Sequence, residues 1–257
     1  MLALNNIFVT FNKGTVDENR LFEDFSFSIG TGEFVSVIGS NGSGKTTMLN
    51  LICGSLLPDS GKIVLDEKDI TKVREYKRNE IIGRVFQDPK MGTCPDLTIL
   101  ENLALADNKN KRYGITPAIS EKRIGYYQSL LQPCNMGLEN RMGVKVGALS
   151  GGQRQALALV IATMSDIDLL VLDEHTAALD PHTAELIMEL TDKIVKQKHL
   201  TAVMVTHNLR YAVEYGDHLI MMDKGKIVVD KSGEEKQNTH TEDLLKVFNE
   251  ISIECGN

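Results

Sequence analysis

Alternating hydrophobic and polar positions at the start of the chain predict a small antiparallel sheet. Apolar residues recur at every second position over residues 7–11 and 25–29, which is the period of half-buried strands. Residues 34–38 then form a short apolar, β-rich run that predicts a buried strand. Glycines follow this run, and the apolar spacing of residues 46–52 predicts a helix after them. The order strand, loop and helix is therefore expected early in the chain.

The later pattern divides into a helical stretch and an alternating stretch. Between residues 89 and 149 the strand signals fade, and residues 98–106 and 120–131 have helical apolar spacing. The strands predicted beyond this stretch cover 169–172, 201–206, 219–222 and 227–229, and the helices cover 181–196, 209–215 and 244–251. Strands separated by helices favour a largely parallel sheet covered on both faces. The predicted fold class is α/β, with a mainly parallel sheet flanked by helices, an N-terminal antiparallel β subdomain and an inserted α-helical subdomain.

Composition and charge narrow the class of protein. The chain has 257 residues, of which 42 % are hydrophobic, and a formal net charge of −7. This is an ordinary acidic globular composition, so nucleic acid is not an expected partner. Residues 1–6 lack the basic and apolar regions of a signal peptide, so export is not expected. The longest apolar stretches, such as residues 156–164, are shorter than the roughly 20 residues that cross a bilayer, so any membrane association is expected to depend on a partner.

The spacing of the cysteines gives no sign of a metal or redox site. Cys53, Cys94, Cys134 and Cys255 are far apart and share no C-x-x-C spacing. We expect reduced thiols, as in a cytosolic protein.

A glycine-rich segment carries the clearest chemical signal. Residues 39–46 read GSNGSGKT, which fits the pattern G-x-x-x-x-G-K-[ST] between a predicted strand and a predicted helix. Glycines let the backbone wrap around phosphates, and the helix N-terminus favours negative charge. Lys45 is expected to bridge phosphate oxygens and Thr46 to give its hydroxyl to Mg²⁺, whereas the alternative is a glycine-rich turn that happens to carry Lys-Thr. The candidate phosphate-binding residues are Gly39, Ser40, Asn41, Gly42, Ser43, Gly44, Lys45, Thr46 and Thr47.

Two carboxylates follow the strand predicted at residues 169–172. Asp173 and Glu174 come after four apolar residues, so they are expected at the carboxyl end of a buried strand, where open α/β sheets place ligands. Phosphoryl transfer depends on positioning and charge stabilisation; Asp173 could reach the shell of a magnesium ion while Glu174 orients the attacking water. The alternative is an acidic pair that caps the following helix.

Residues 149–153 read LSGGQ and precede a predicted helix. A serine and two glycines at a helix start make a second anion site from backbone donors and helix polarity. The residues of this site are Ser150, Gly151, Gly152 and Gln153. One chain is therefore expected to carry two phosphate-binding surfaces.

The phosphate loop, LSGGQ and the Leu-Asp-Glu strand end, in this order, resemble the ATPase subunit of ABC transporters, and the similarity covers essentially the whole chain. The resemblance implies one ATPase domain, with a P-loop NTPase core at residues 1–88 and 155–232, a helical subdomain at 89–154 and a tail at 233–257. It implies that ATP and Mg²⁺ are bound. It also implies a head-to-tail homodimer in which LSGGQ of one subunit contacts the ATP on the other's phosphate loop, and residues 178–180 cross the interface.

The same resemblance implies roles for three further residues. Gln87, which is expected to end a strand, would contact magnesium and the attacking water and relay movement to the transporter. By spacing alone it is a surface residue near a turn. His207, after an apolar strand, would contact the γ-phosphate and couple to Glu174, although a lone histidine is more often a satisfied polar residue. Phe11 would stack on the adenine ring, with core packing as the alternative.

One position departs from the family pattern. Many relatives have proline after the catalytic glutamate, where it stiffens the turn, and this chain has His175 there. Because Asp173 and Glu174 are present, hydrolysis is expected to survive the change.

Three segments are similar to a bacterial importer branch often labelled as taking up tryptophan or related aromatic amino acids; they are residues 86–93, 151–157 and 173–180. This resemblance implies a transmembrane permease, an extracytoplasmic substrate-binding protein and a peripheral position on the cytoplasmic face of the cell membrane. An ATPase subunit does not touch the cargo, so the substrate rests on analogy alone.

Two other functions stay open beside transport. A soluble ATP-driven switch acting on ribosomes or DNA usually carries two ATPase domains or a long coiled coil before LSGGQ, and this chain shows one ATPase domain and no sustained heptads. In a small-molecule kinase built on a P-loop, the LSGGQ segment would have no function. The expected function is therefore energy coupling, in which two copies bind MgATP, close, act on a permease, hydrolyse and reopen.

Overall fold

The computed structural model describes residues 1–109 and 119–254. The strands are β1 (Leu2–Phe11), β2 (Asn19–Ile29), β3 (Phe34–Gly39), β4 (Ser60–Leu65), β5 (Lys68–Asp69), β6 (Ile82–Val85), β7 (Leu169–Asp173), β8 (Thr201–Val205), β9 (His218–Asp223) and β10 (Lys226–Ser232). The helices are α1 (Lys45–Cys53), α2 (Glu75–Arg78), α3 (Ile99–Asp107), α4 (Glu121–Leu131), α5 (Gly151–Thr163), α6 (Pro181–Lys198), α7 (Leu209–Glu214), α8 (Gly233–Gln237) and α9 (Thr241–Glu254). Short 3-10 helices lie at Pro89–Gly92, Gln132–Cys134, Leu138–Asn140 and Val146–Ala148. Within residues 1–109 and 119–254, no helix is both long enough and apolar enough to cross a membrane.

These elements form two compact units, and each is described by itself. Unit 1 consists of Met1–Asn79 together with residues 199–254, and unit 2 consists of Glu80–Lys198. The α/β class and the N-terminal antiparallel sheet confirm the predicted fold class. The predicted division into a catalytic core, a helical subdomain and a tail stays a prediction. Residues 110–118 of the predicted helical subdomain and residues 255–257 of the predicted tail lie outside the described residues.

An antiparallel sheet begins unit 1, with its strands hydrogen-bonded in the order β2-β1-β4-β5. The strands predicted at residues 7–11 and 25–29 are the second halves of β1 and β2, because a bulge interrupts the two-residue period in each strand. Asn6 and Asp24 lie at these bulges, with φ values of 51° and 63°. The Asn6 side-chain amide donates to Asp24 Oδ1 at 2.6 Å. The two bulges therefore face each other and support one another.

Unit 1 also contains strands that are hydrogen-bonded in the order β10-β9-β3-β8. β3 is parallel to β8 and to β9, whereas β10 is antiparallel to β9. Every residue of β3 is buried, as expected for a strand covered on both faces. The buried cluster that joins α7 and α9 to this sheet consists of Ile38, Ala212, Leu219, Met221 and Leu244. The strands and helices predicted in this region are confirmed, with ends that differ by a few residues.

Unit 2 contains a pair of parallel strands and the longest described helix, α6. β6 pairs with β7 in parallel, with Arg84 opposite Val171. Gly83 allows the strand to approach α5 closely, since a Cβ there would lie 2.4 Å from the carbonyl oxygen of Ala162. The helices predicted at residues 98–106 and 120–131 are α3 and α4, so these predictions are confirmed.

The cysteines in the described residues form no disulfide bond. Cys53 and Cys134 are buried and Cys94 is exposed, whereas Cys255 lies outside the described residues. Burial raises the pKa of the Cys134 thiol to about 11, so this group stays protonated at neutral pH.

Candidate functional site

The phosphate loop of unit 1 connects β3 to α1 and depends on glycine at two close contacts. Gly39 and Gly44 have φ values of 152° and 106°, which glycine adopts without a side-chain penalty. A Cβ on Gly39 would lie 2.2 Å from the carbonyl oxygen of Met222, and one on Gly44 would lie 2.8 Å from the Phe22 ring. Any larger residue at either position would push the loop away from its supports. At Gly42 a Cβ would meet nothing within 4 Å, so this part of the loop faces open space.

Lys45 lies inside this loop and fixes a positive charge there. Its side chain is buried, and Nζ donates to the carbonyl oxygens of Gly39 and Ser40 at 2.8 Å each. Lys45 is also the first residue of α1, and the helix start has no side-chain cap. Uncapped backbone N–H groups at a helix start and a nearby ammonium both attract anions. Asn41 and Thr46 are exposed and Thr47 is half-buried on the same segment.

The buried hydroxyl of Ser43 indicates whether a phosphate group would fit this loop. The side chain is 1 % exposed, and its Oγ has no hydrogen-bond partner among the described residues. A buried hydroxyl without a partner costs roughly 1–3 kcal/mol. A phosphate oxygen held by the loop would accept this hydrogen bond, so the loop fits a bound phosphate.

The turn between β9 and β10 forms hydrogen bonds with the phosphate loop. Ser40 Oγ donates to Asp223 Oδ1 at 2.9 Å, and the backbone N–H of Gly225 donates to the Ser43 carbonyl at 2.9 Å. Gly225 itself has a φ of 76°, and a Cβ there would collide with the carbonyl oxygen of Leu21 in β2. The sequence analysis did not identify Asp223 or Gly225. The Asp-Lys-Gly sequence signals a turn, but no local pattern shows that the turn contacts a loop far away in the chain.

Two other predicted residues also belong to unit 1. Phe11 is half-buried at the end of β1, opposite Asn19 of β2. A cleft of about 360 Å³ opens on these strands and is lined by Phe8, Thr10, Lys13, Glu18, Arg20, Phe22 and Glu23, but not by Phe11.

His207 is exposed, two residues after the end of β8, as predicted for a polar residue beyond a strand. The stacking role of Phe11 and the phosphate contact of His207 stay predictions.

In unit 2, Asp173 is the last residue of β7, as the sequence predicts for a strand-end carboxylate. Arg84 on the neighbouring strand β6 donates from Nη2 to Asp173 Oδ2 at 2.8 Å. The two side chains are only 12 % and 15 % exposed, so this hydrogen bond between charged groups is strong. The Arg84 guanidinium also lies 4.7 Å from the Phe86 ring centre. Arg84 was missed from sequence, although a charged residue inside an apolar strand was a visible signal.

Glu174, the residue after Asp173, has a strained backbone conformation. Its φ is 47°, a left-handed value that costs a residue with a Cβ on the order of 1–3 kcal/mol. Such strain often occurs at functional sites, and the role of this carboxylate stays a prediction. The next residue, His175, is buried and lies 3.1 Å from Thr191 Oγ1 of α6. Burial lowers the pKa of His175 to about 4, so its ring is neutral at pH 7.

The LSGGQ segment begins α5, as predicted. Ser150 is the residue before the helix, and its Oγ accepts from the Gln153 backbone N–H while Gln153 Oε1 accepts from the Ser150 backbone N–H, both at 3.2 Å. Ser150 and Gly151 are exposed, whereas Gly152 is buried. A Cβ on Gly152 would lie 2.1 Å from Thr183 Cγ2. The two glycines therefore differ, because one is open to solvent and the other allows α5 to pack against the start of α6.

The segment between Glu174 and α6 includes the predicted interface loop. Ala178 and Asp180 are exposed and Leu179 is half-buried. Asp180 Oδ1 accepts from the Thr183 backbone N–H at 3.0 Å, so this residue caps the helix that follows it.

Gln87 is exposed beyond the end of β6 in unit 2. The strand ends at Val85 rather than at Gln87, which corrects the predicted strand end. Asp88 caps the short 3-10 helix that follows, since its side chain accepts from the Lys90 backbone N–H. The carbonyl oxygen of Phe86 accepts from Gln155 of α5 at 3.2 Å, so the chain before Gln87 is anchored to the LSGGQ helix.

The donor types proposed for magnesium fit that ion. Thr46, Gln87 and Asp173 offer hydroxyl, amide and carboxylate oxygens, and Mg²⁺ prefers oxygen ligands, usually one or two carboxylates with substrate phosphates. No group of three or more His, Cys, Asp or Glu residues within 1–109 and 119–254 could hold a metal ion. The metal role of these three residues stays a prediction.

The chain is similar to known proteins in sequence and in structure. A family profile described as "ABC transporter" matches residues 22–177. The chain is 47 % identical over 248 residues to the "Tyrosine transport ATP-binding protein" of Clostridioides difficile (strain R20291), covering 96 % of this chain and 98 % of the relative. Among solved structures, it resembles the dimeric post-hydrolysis state of the ATP-binding cassette MJ0796 bound to ADP and Pi, with a TM-score of 0.76, 30 % identity and coverage of 90 % and 98 %. It also resembles the ADP conformation of MJ1267, an ATP-binding cassette of an ABC transporter, with a TM-score of 0.80, 26 % identity and coverage of 100 % and 99 %.

Proposed function

The chain belongs to the ABC transporter family of ATP-binding, ATP-hydrolysing proteins, and on this premise we propose that it powers a bacterial importer of an amino acid or a similar small solute. The proposal extends from the family to three finer points: which residues act on ATP, which proteins assemble with the chain, and which cargo is moved. Each point has its own support.

The phosphate loop is the observation that carries the proposal. Lys45 is held at the loop by two backbone carbonyls, and the buried hydroxyl of Ser43 lacks a partner in the described residues. These groups can bind the β- and γ-phosphates of ATP together with the backbone N–H groups at the start of α1. Phe11 is the proposed stacking partner of the adenine ring.

Hydrolysis is assigned to Glu174, which follows β7, and to His207, which follows β8. Glu174 orients the attacking water and takes up its proton, and His207 contacts the γ-phosphate. When bound, Mg²⁺ would neutralise charge that develops on the phosphate oxygens during transfer. Thr46, Gln87 and Asp173 are the proposed residues for that ion, and Arg84 holds Asp173 in place through Oδ2.

The proposed assembly is a homodimer bound to a membrane permease. Ser150, Gly151, Gly152 and Gln153 of one subunit contact the nucleotide on the phosphate loop of the other, and residues 178–180 cross the interface. The dimeric state of the related cassette MJ0796 supports this arrangement. In the proposed system a transmembrane permease and an extracytoplasmic substrate-binding protein are the further partners, and the proposed position of the chain is the cytoplasmic face of the membrane.

Tyrosine is the proposed cargo, with related aromatic amino acids as the wider class. The support is the name of the Clostridioides difficile relative, which is almost half identical to this chain along nearly its full length. It agrees with the importer branch that the sequence segments at 86–93, 151–157 and 173–180 resemble.

Uptake by a reconstituted system tests this proposal. The full-length tagged chain is purified from detergent-solubilised native membranes, and the co-purified permease is inserted into vesicles with its binding protein. We expect ATP-dependent uptake of radiolabelled tyrosine, reduced by excess unlabelled tryptophan or phenylalanine, and no uptake with the Glu174→Gln chain. Uptake of a different solute would reject the cargo alone. Recovery of the chain only with ribosomal or DNA-bound proteins would reject the transport role in favour of a soluble switch.

A further inference from the structure

The backbone at Glu174 is held in a conformation that glutamate rarely adopts. Its φ of 47° lies in the left-handed region, where a Cβ crowds the backbone. The Glu174 carbonyl oxygen accepts from the Ala177 backbone N–H at 2.9 Å, which closes a turn directly after the residue. A strained conformation persists only where surrounding contacts determine it. Contacts of the residues after Glu174 therefore contribute to holding its backbone in this conformation.

A buried chain of hydrogen bonds joins the next residue to α6. His175 Nε2 lies 3.1 Å from Thr191 Oγ1, and the Thr191 hydroxyl donates to the Ile187 carbonyl oxygen at 2.7 Å. Because a hydroxyl has a single proton, this geometry assigns His175 as the donor, with its proton on Nε2. The His175 residue is 2 % exposed and Thr191 is fully buried, so water has no access to replace this hydrogen bond.

Helix α6 makes a firm anchor for this hydrogen bond. Ile187 and Thr191 are among the buried residues of that helix. The connecting segment is itself fixed, since the Leu179 backbone N–H donates to the Thr176 carbonyl and Asp180 caps the helix start. Because these hydrogen bonds fix the segment after Glu174 on α6, a rotation of the turn that carries Glu174 would disturb the His175–Thr191 hydrogen bond.

We propose that His175 is a positioning residue for ATP hydrolysis, which holds Glu174 in its strained conformation through the hydrogen bond to Thr191. This inference rests on the proposed role of Glu174. A proline at position 175 would restrict the turn through its own ring. Here the restriction comes from a side-chain hydrogen bond to a neighbouring helix.

Variants on each side of the hydrogen bond test the proposal in the purified full-length chain. His175→Leu removes the donor, and Thr191→Val removes the acceptor with little change of shape. Both should lower kcat by roughly tenfold or more, since a misplacement of about 1 Å can cost a hundredfold in rate. ATP affinity, measured separately, should change by less than about twofold. His175→Gln keeps an N–H at a similar distance from the backbone and should restore most of kcat.

The double variant His175→Leu/Thr191→Val distinguishes positioning from general stability. Replacing both polar partners by apolar groups can restore stability that either single change removes. We expect the melting temperature to recover in the double variant while kcat stays low. Recovery of kcat together with the melting temperature, or wild-type kcat in both single variants, would overturn the proposal.

Glu174→Gln in the same assay separates this inference from the proposed function. If Glu174→Gln is inactive while both single variants hydrolyse ATP at the wild-type rate, only the role of His175 fails. If Glu174→Gln itself hydrolyses ATP at the wild-type rate, the role of Glu174 fails, and the role of His175 fails with it.

Discussion

Arg84 and Asp173 are joined by a hydrogen bond of 2.8 Å between neighbouring parallel strands, where both side chains are largely buried. The pair fixes one oxygen of the carboxylate at the end of β7. Sequence motifs identify Asp173 alone, and its partner comes from a strand separated from it by 89 positions along the chain. The orientation of this candidate metal ligand therefore depends on a residue outside every motif.

Removing Arg84 should destabilise the chain measurably. Arg84→Met leaves a largely buried carboxylate without its cation, which we expect to lower the free energy of unfolding by about 2 kcal/mol. Urea unfolding of the purified chain measures this change. The double variant Arg84→Met/Asp173→Asn removes the charge as well and should recover part of the loss. Equal unfolding midpoints for Arg84→Met and the wild type would contradict the importance of the pair.

Ser43→Ala should separate ATP binding from stability. The Ser43 hydroxyl is buried without a partner in the described residues, so its removal should leave the unfolding free energy unchanged or raise it by up to about 1 kcal/mol. ATP affinity should fall by roughly tenfold, because a hydrogen bond to a charged group contributes about 1.5–3 kcal/mol. Calorimetric titration and thermal unfolding measure the two quantities.

Ser36 offers a matched control for Ser43, since it is fully buried and its Oγ donates to the Tyr215 carbonyl at 3.1 Å. Ser36→Ala should show the opposite pattern, with lower stability and unchanged ATP affinity. Unchanged ATP affinity in Ser43→Ala would refute the phosphate contact assigned to that hydroxyl.

The two glycines of the LSGGQ segment should respond differently to alanine. A Cβ on Gly152 would lie 2.1 Å from Thr183 Cγ2, whereas one on Gly151 would make an ordinary contact of 3.5 Å with Leu179. Gly152→Ala should therefore lower the melting temperature, and Gly151→Ala should not. Thr183→Ser removes the colliding methyl group and should rescue Gly152→Ala. The absence of rescue would show that the collision is not the cause.

His175 should make stability depend on pH in the acidic range. Burial lowers its pKa to about 4 from the ordinary 6.5. Well above pH 6.5 the ring is neutral in both the folded and the unfolded state, so it contributes no pH dependence there. As the pH falls from 6.5 towards 4, the unfolded chain binds a proton that the folded chain excludes, and stability falls.

His175→Gln carries no titrating ring and isolates this contribution. Between about pH 7 and about pH 4.5, the wild type should lose roughly 2–3 kcal/mol more unfolding free energy than His175→Gln. Urea unfolding of both proteins at the two pH values gives the difference. Parallel losses in the two proteins would show that His175 is not protonated on unfolding in this range.

The sequence predicts the elements whose pattern is regular. Strand β7 and the strand-end position of Asp173 follow from a continuous apolar run, and the loop before α1 follows from its glycines and lysine. In contrast, only half of β1 and half of β2 are predicted, because the bulges at Asn6 and Asp24 break the alternation. The two-residue strand β5 and the four-residue helix α2 are too short to give a periodic signal.

The chemistry that sequence analysis misses comes from contacts between distant segments. The hydrogen bonds from Arg84 to Asp173 and from Ser40 to Asp223 each join residues far apart in the chain. Local patterns carry no information about such partners. The left-handed backbone at Glu174 is also invisible in a sequence, because glutamate seldom adopts it. Motifs thus point to candidate reacting groups, and the fold shows which contacts hold those residues in place.

The most direct test of the central claim, that Glu174 makes this chain an ATPase, compares ATP binding and hydrolysis in the wild type and in Glu174→Gln. The change removes a charge and leaves the side-chain shape intact. We expect ATP binding to be retained, turnover to fall by roughly a hundredfold or more, and a closed dimer to accumulate with ATP in size-exclusion chromatography. ATP hydrolysis by Glu174→Gln at the wild-type rate would contradict the account.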